Sequence, residues 1–118
     1  NKYIENVKPY YGCKIPDLGA LTWTKPISYN YYKIDDGTQV FSMSYDVNEI
    51  THNMADNVDF IIRGYQLALD YRDFECIDSE NAQYGFIDQY INRSTSDYVI
   101  FSMIQTEKQH TLQIDILI

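Results

Sequence analysis

The hydrophobic period of this chain changes twice, and that change limits what it can fold into. From Gln39 to Asp46 it is two: Phe41, Met43 and Tyr45 fall on one side of an extended strand, Ser42 and Ser44 on the other. From Asp56 to Arg72 it becomes helical, with Val58, Ile61, Ile62, Tyr65, Ala68 and Leu69 three or four residues apart. From Phe74 to the end it returns to two. The last stretch is the cleanest: Leu112, Ile114, Ile116 and Ile118 alternate with Thr111, Gln113 and Asp115.

Turn chemistry sets the limits of these elements. The stretch Pro26 to Ile34 reads as a strand, because its tyrosines suit a pleated, half-buried surface. Asp35-Asp36-Gly37 then folds it back onto Gln39–Asp46 as a hairpin. Asn53 or Asp56 is expected to cap the helix, and Asp73 to end it in a left-handed conformation. Asp59 and Arg63, four apart, could pair on its surface. Four strands are expected after it: Phe74–Asp78, Tyr84–Ile91, Tyr98–Gln105 and Thr111–Ile118, with turns at 79–82 and 107–110. Tyr98–Ile104 is apolar on both faces and is expected at the centre of the sheet. The predicted fold is α+β: a twisted antiparallel sheet of about six strands, ordered hairpin, helix, four strands, with one amphipathic helix on one face.

A chain of 118 residues fits a single domain, 1–118, large enough to hold its own core. Residues 1–25 carry Pro9, Gly12, Pro16 and Gly19 and read as irregular. Leu18, Ala20, Leu21 and Trp23 are expected to pin this segment to the core. No apolar run is long enough to span a membrane. The formal net charge of −8 argues against nucleic acid and against anionic membrane surfaces, both of which need Lys and Arg. The opening at Asn1 leads us to expect a mature or trimmed product, or an excised piece, and leaves room for a removed export signal.

Candidate chemistry fails on spacing. His52 falls in a loop before the helix and His110 in a hairpin turn, neither beside a nucleophile motif. The carboxylates Asp35, Asp36, Asp70, Asp73, Glu75, Asp78 and Glu80 sit at turns and on polar faces. They lack the alternate-position Asp and central Gly of a calcium loop. The five glycines are dispersed, so no phosphate-cradling loop exists. Two cysteines do not make a zinc site. A Cys13–Cys76 disulfide would close a long loop, worth about 4 kcal/mol on the chain-entropy model. The competing reading is two free thiols, with Cys76 buried in an apolar strand. No catalytic residue, metal or cofactor is expected.

Twelve tyrosines against one tryptophan remain to be explained. A tyrosine ring offers contact area, a hydrogen-bonding tip and little rotamer entropy to lose, which suits a surface that binds protein, peptide or glycan. Strand propensity alone is the competing explanation. Tyr29 and Tyr31 fall on one face of one strand, and with Tyr45 they form the candidate binding set.

Tyr10-Tyr11 followed by Ile15-Pro16-Asp17-Leu18-Gly19-Ala20 resembles the opening of small uncharacterised modules in secreted or lipid-anchored proteins of Firmicutes. These continue into Tyr-rich strands and a helix that ends in Gly-Phe, where this chain has Asp73-Phe74. The resemblance implies an extracytoplasmic domain and carries no catalytic residues. Physically, Pro16-Asp17 would fix a turn and Gly19 would permit close backbone packing. The expectation is a non-enzymatic binding or accessory module, secreted or on the cell surface. The alternative is a small acidic inhibitor or immunity-type protein, cytoplasmic, that neutralises a basic partner.

Overall fold

The computed structural model describes residues 11–118. Residues 1–10, the start of the segment expected to be pinned, lie outside the described residues. The elements in chain order are α1 (Leu18–Thr22), β1 (Ser28–Lys33), β2 (Gln39–Asp46), α2 (Val47–Met54), α3 (Val58–Tyr71), β3 (Phe74–Ala82), β4 (Gly85–Asn92), β5 (Tyr98–Gln105) and β6 (His110–Leu117). The strands form one antiparallel sheet in the order β1-β2-β6-β5-β4-β3.

This order follows from a single long connection. After β2 the chain crosses to the far edge before starting β3, and α2 and α3 make that crossing over one face of the sheet. The strands then return as a meander, which brings β6 back beside β2. Register places the apolar side chains in rows beneath the helices. Met43, Ile114 and Phe101 lie side by side across β2, β6 and β5, and Tyr45, Leu112 and Met103 form the next row. Ile50 of α2 and Ile61, Tyr65 and Leu69 of α3 close over these rows. The Tyr65 ring packs on Phe101 with centroids 4.8 Å apart.

The α+β architecture and its six strands match the sequence reading, with β5 in the interior as expected. Several local features differ. Val47–Met54 is a helix rather than loop: Asp46 accepts from the Asn48 amide at 3.0 Å, and Val47 and Ile50 turn inward one turn apart. Asn57, not Asn53 or Asp56, caps α3, accepting from the Phe60 amide at 3.2 Å. β3 runs through the expected turn to Ala82, because a bulge between Cys76 and Asp78 resets its register and lets Ser79–Ala82 keep pairing with β4. Asp73 does end the α3 region in a left-handed conformation, at φ 67°. On α3, Asp59 and Arg63 form no ion pair; the ion pair there joins Asp70 to Arg93 at 3.9 Å.

Tyr11, Ile15 and Leu18 hold the described part of the N-terminal segment in the core, whereas Ala20, Leu21 and Trp23 are exposed. The short helix α1 explains the difference, since one turn presents Leu18, Gly19 and Thr22 inward and Ala20 and Leu21 outward. Asp17, read from the sequence as part of a turn, caps it through the Ala20 amide. Gly19 lies where the backbone is tightest. A Cβ there would stand 2.6 Å from the Thr24 carbonyl oxygen and 2.9 Å from a Tyr45 ring carbon. Gly19→Ala is therefore expected to lower stability by about 1–3 kcal/mol through overpacking. Urea unfolding at constant slope checks this, and a midpoint equal to wild type contradicts the close approach.

Candidate functional site

A chain of buried tyrosines positions the surface between α1 and β1. The Tyr11 and Tyr45 hydroxyls are 2.6 Å apart in the core, and Tyr11 also accepts the Leu18 amide at 2.8 Å. Tyr65 of α3 donates to the Pro16 carbonyl at 2.8 Å. Two elements, β2 and α3, thus grip the segment before α1 through hydroxyls in an apolar core, the role a buried tyrosine serves best. Burial pushes the pKa of all three phenols upward; the neighbouring tyrosines and the Asp17 charge add to the rise at Tyr11 and Tyr65.

α1 then ends abruptly. Trp23 takes a left-handed conformation, φ 56° and ψ 37°, which a bulky side chain rarely adopts. Thr24 turns back so that its amide reaches the Gly19 carbonyl at 3.0 Å. From α2, Asn53 donates to both the Trp23 carbonyl at 3.0 Å and Thr24 Oγ1 at 3.1 Å. These bonds hold the backbone in place, while the indole stands 84% exposed. It borders a depression of about 610 Å3 whose other walls are Tyr29, Pro26, Lys25 and Asp17. Partial burial and then the Asp17 charge raise the Tyr29 pKa.

The candidate binding tyrosines separate. Tyr29 and Tyr31 share the helix-bearing face of β1, opposite Met43 and Phe41, and are 41% and 38% exposed. The Tyr31 ring lies 5.0 Å from that of Phe41, and its hydroxyl donates to Gln39 at 3.2 Å. Tyr45 has the same facing but is buried: Leu112 flanks it in the sheet, and Gly19 and Tyr11 cover it. It therefore supports the site from below and offers no surface. From the sequence Trp23, like Ala20 and Leu21, is expected in the core; it is exposed, as they are. An apolar residue in a short segment reads as an anchor, and nothing nearby in the sequence signals the left-handed turn that expels it.

Cys13 and Cys76 are free, exposed thiols and form no disulfide. Cys76 is not buried, because β3 is the edge strand and only Phe74 at its start reaches the core. Partial desolvation of the thiol and then the charge of Asp88 raise its pKa, away from thiolate reactivity. Asp88 is itself buried beneath α3 and accepts from Ser79 Oγ at 2.6 Å, Gln66 at 3.2 Å and the Tyr90 hydroxyl at 3.3 Å. Hydrogen bonds to three neutral donors satisfy a buried carboxylate without a counter-ion. His52 lies in the last turn of α2, and His110 opens β6 with its ring 3.3 Å from Met103 Sδ. Among the described residues no three His, Cys, Asp or Glu side chains gather to hold a metal, and no helix is long and apolar enough to cross a membrane.

The helix-free face of the sheet is the second feature. Val40, Ile100 and Leu117 form its apolar centre under Tyr32, beside a depression of about 500 Å3. At its edge Asp115 accepts from Ser42 and, through both oxygens, from Gln113 at 3.1 and 3.0 Å. Strand alternation also puts Asp46, Asp78 and Glu80 on this face, and no Lys or Arg of any strand. Compared with known proteins, the chain matches no family model and none of the curated sequences.

The buried phenols make the fold sensitive to alkali. Their folded pKa values are raised, so the stability they contribute is full below the unfolded value of about 10 and is lost as pH climbs above it. Thermal melts above pH 10 are expected to show a steep fall in stability, with Tyr11, Tyr45 and Tyr65 ionising only as the chain unfolds. Tyrosinate absorbance checks this. Smooth ionisation of all twelve tyrosines with the fold intact would contradict the network.

Proposed function

We propose that this chain is a non-enzymatic, extracytoplasmic binding module. Its recognition surface is the aromatic depression of Trp23, Pro26 and Tyr29. The observation that carries this reading is the cost of displaying Trp23. A non-glycine residue in the left-handed region is held there by Asn53 and Gly19, and the resulting conformation exposes the largest apolar side chain in the molecule. Packing alone would favour the opposite, an indole turned inward. Trp23 and Tyr29 offer flat faces to a sugar ring or a peptide side chain, and Lys25 and Asp17 supply polar contacts at the rim. The location outside the cytoplasm rests on the resemblance of the opening segment to modules of secreted and lipid-anchored proteins.

A second reading, an acidic inhibitor of a basic partner, draws on the helix-free face. Asp115 sits there among apolar residues, on strands that present only acidic charge to that side. The two readings predict different losses. Trp23 is the only tryptophan, so its fluorescence reports on the proposed surface alone. Titration with panels of oligosaccharides and peptides is expected to shift that emission. Trp23→Ala should weaken binding about tenfold or more, and Tyr29→Ser less. Binding that leaves Trp23 emission unchanged and survives Trp23→Ala, but is lost in Asp115→Asn, would favour the inhibitor reading and overturn the first.

A further inference from the structure

The core does not explain the outer surface of α3. Ile61, Tyr65 and Leu69 face the sheet, as an amphipathic helix requires. Yet Phe60, Leu67 and Tyr71 are 65%, 59% and 89% exposed. With Gly64 they recur at i, i+4, i+7 and i+11, a second apolar stripe on the side away from the core. Gly64 in mid-helix costs about 0.5–1 kcal/mol relative to Ala. Nothing inside the molecule requires it, since a Cβ there would meet no atom within 4 Å. The stripe continues past Ala68 to Leu21 of α1 across a shallow depression of about 280 Å3. A surface helix with two apolar faces and an unneeded glycine notch is built to receive another helix.

We propose that the occupant is a second copy of this chain, with the two α3 helices packed antiparallel about a two-fold axis. The stripe is self-complementary in that orientation. With the axis between Tyr65 and Gln66, Leu67 enters the notch at Gly64 of the second copy and Phe60 meets its Tyr71, each contact occurring twice. Arg63 and Asp70 lie on one flank of the stripe, and an antiparallel pair brings like flanks together. Each Arg63 then approaches the Asp70 of the other copy, so the charges bordering the stripe attract. The exposed apolar surface of Phe60, Leu67, Tyr71 and Leu21 is roughly 500 Å2 per copy, which for two copies reaches the size at which specific dimers begin. Two other surfaces suit a second copy poorly. The β3 edge is bulged and carries Glu75, Asp78 and Glu80, and the helix-free face would set acid against acid.

Light scattering and sedimentation at physiological ionic strength test this, because the repulsion of two chains of net charge −8 is then screened beyond about 8 Å. A reducing buffer keeps the exposed thiols from linking copies. The wild-type chain is expected to show a reversible monomer–dimer equilibrium. Leu67→Asp and Gly64→Gln should each weaken it about tenfold or more. Gly64→Gln should leave the melting temperature of the dilute monomer unchanged or higher, which separates a blocked notch from a damaged fold. Arg63→Asp should weaken the dimer, and adding Asp70→Arg should restore part of the loss. A wild-type chain that stays monomeric up to high concentration overturns the proposal, as does a dimer indifferent to Leu67→Asp and Gly64→Gln. A double charge reversal no better than Arg63→Asp alone overturns the antiparallel pairing.

Discussion

The hydroxyl contact between Tyr11 and Tyr45 decides where the segment before β1 can lie. A strand residue at the heart of the sheet and a residue of the incoming segment share one buried hydrogen bond, and Leu18 adds its amide to the same oxygen. In an apolar core each of these polar atoms would be costly to leave alone, so they must be satisfied together. Tyr65 fixes the segment a second time from α3, through the Pro16 carbonyl. With both ends of 11–17 set, the next turn has little freedom. α1 must start after its cap Asp17, pass over Tyr45 at Gly19 and end at Trp23.

Display of the indole is thus a consequence of packing below it. Gly19 permits the approach of α1 to Tyr45, and the approach places Thr24 where its amide can return to Gly19. Asn53 then ties that turn to α2, the helix that begins the crossing of the sheet. The exposed aromatic surface and the core are one construction: Tyr45, a candidate for the binding face, instead joins Tyr11 and Tyr65 in holding the platform on which one tryptophan stands. The same logic separates the two faces of the sheet. Because α1 and the two helices of the β2-to-β3 crossing lie on one face, the other carries no described helix, and Asp115 and its hydrogen-bonded neighbours there stay partly exposed.

Much of the fold was legible because alternation is a strong local signal. Phe41, Met43 and Tyr45, and Leu112, Ile114 and Ile116, are core residues in the positions their spacing implied. Asp73 carried its left-handed turn in its residue type. The α2 helix was hidden because Val47 and Ile50 give only one inward turn, too short a pattern to separate from loop. The extension of β3 depended on a bulge, which is a property of pairing with β4 and not of the β3 sequence. The site was less legible for a similar reason. Alternation placed Tyr29 and Tyr31 on one face of one strand and Tyr45 in the row of Phe41 and Met43, but only the fold decides how these faces meet and which part of one is covered. Tyr45 is sealed by residues 34 and 26 positions earlier, Tyr11 and Gly19, while Trp23 is released by a backbone conformation with no sequence signature.

The account rests on the tyrosine hydroxyls, so the most direct measurement removes one without removing its ring. Amide hydrogen exchange in Tyr11→Phe, compared with wild type, resolves the segment from the sheet. Loss of the Tyr11 hydroxyl is expected to speed exchange at Leu18 and Thr24 and to alter Trp23 fluorescence, while the β5 and β6 amides exchange as before. Unchanged protection at Leu18 and Thr24, or an equal loss across the whole sheet, would contradict a segment locked by this contact.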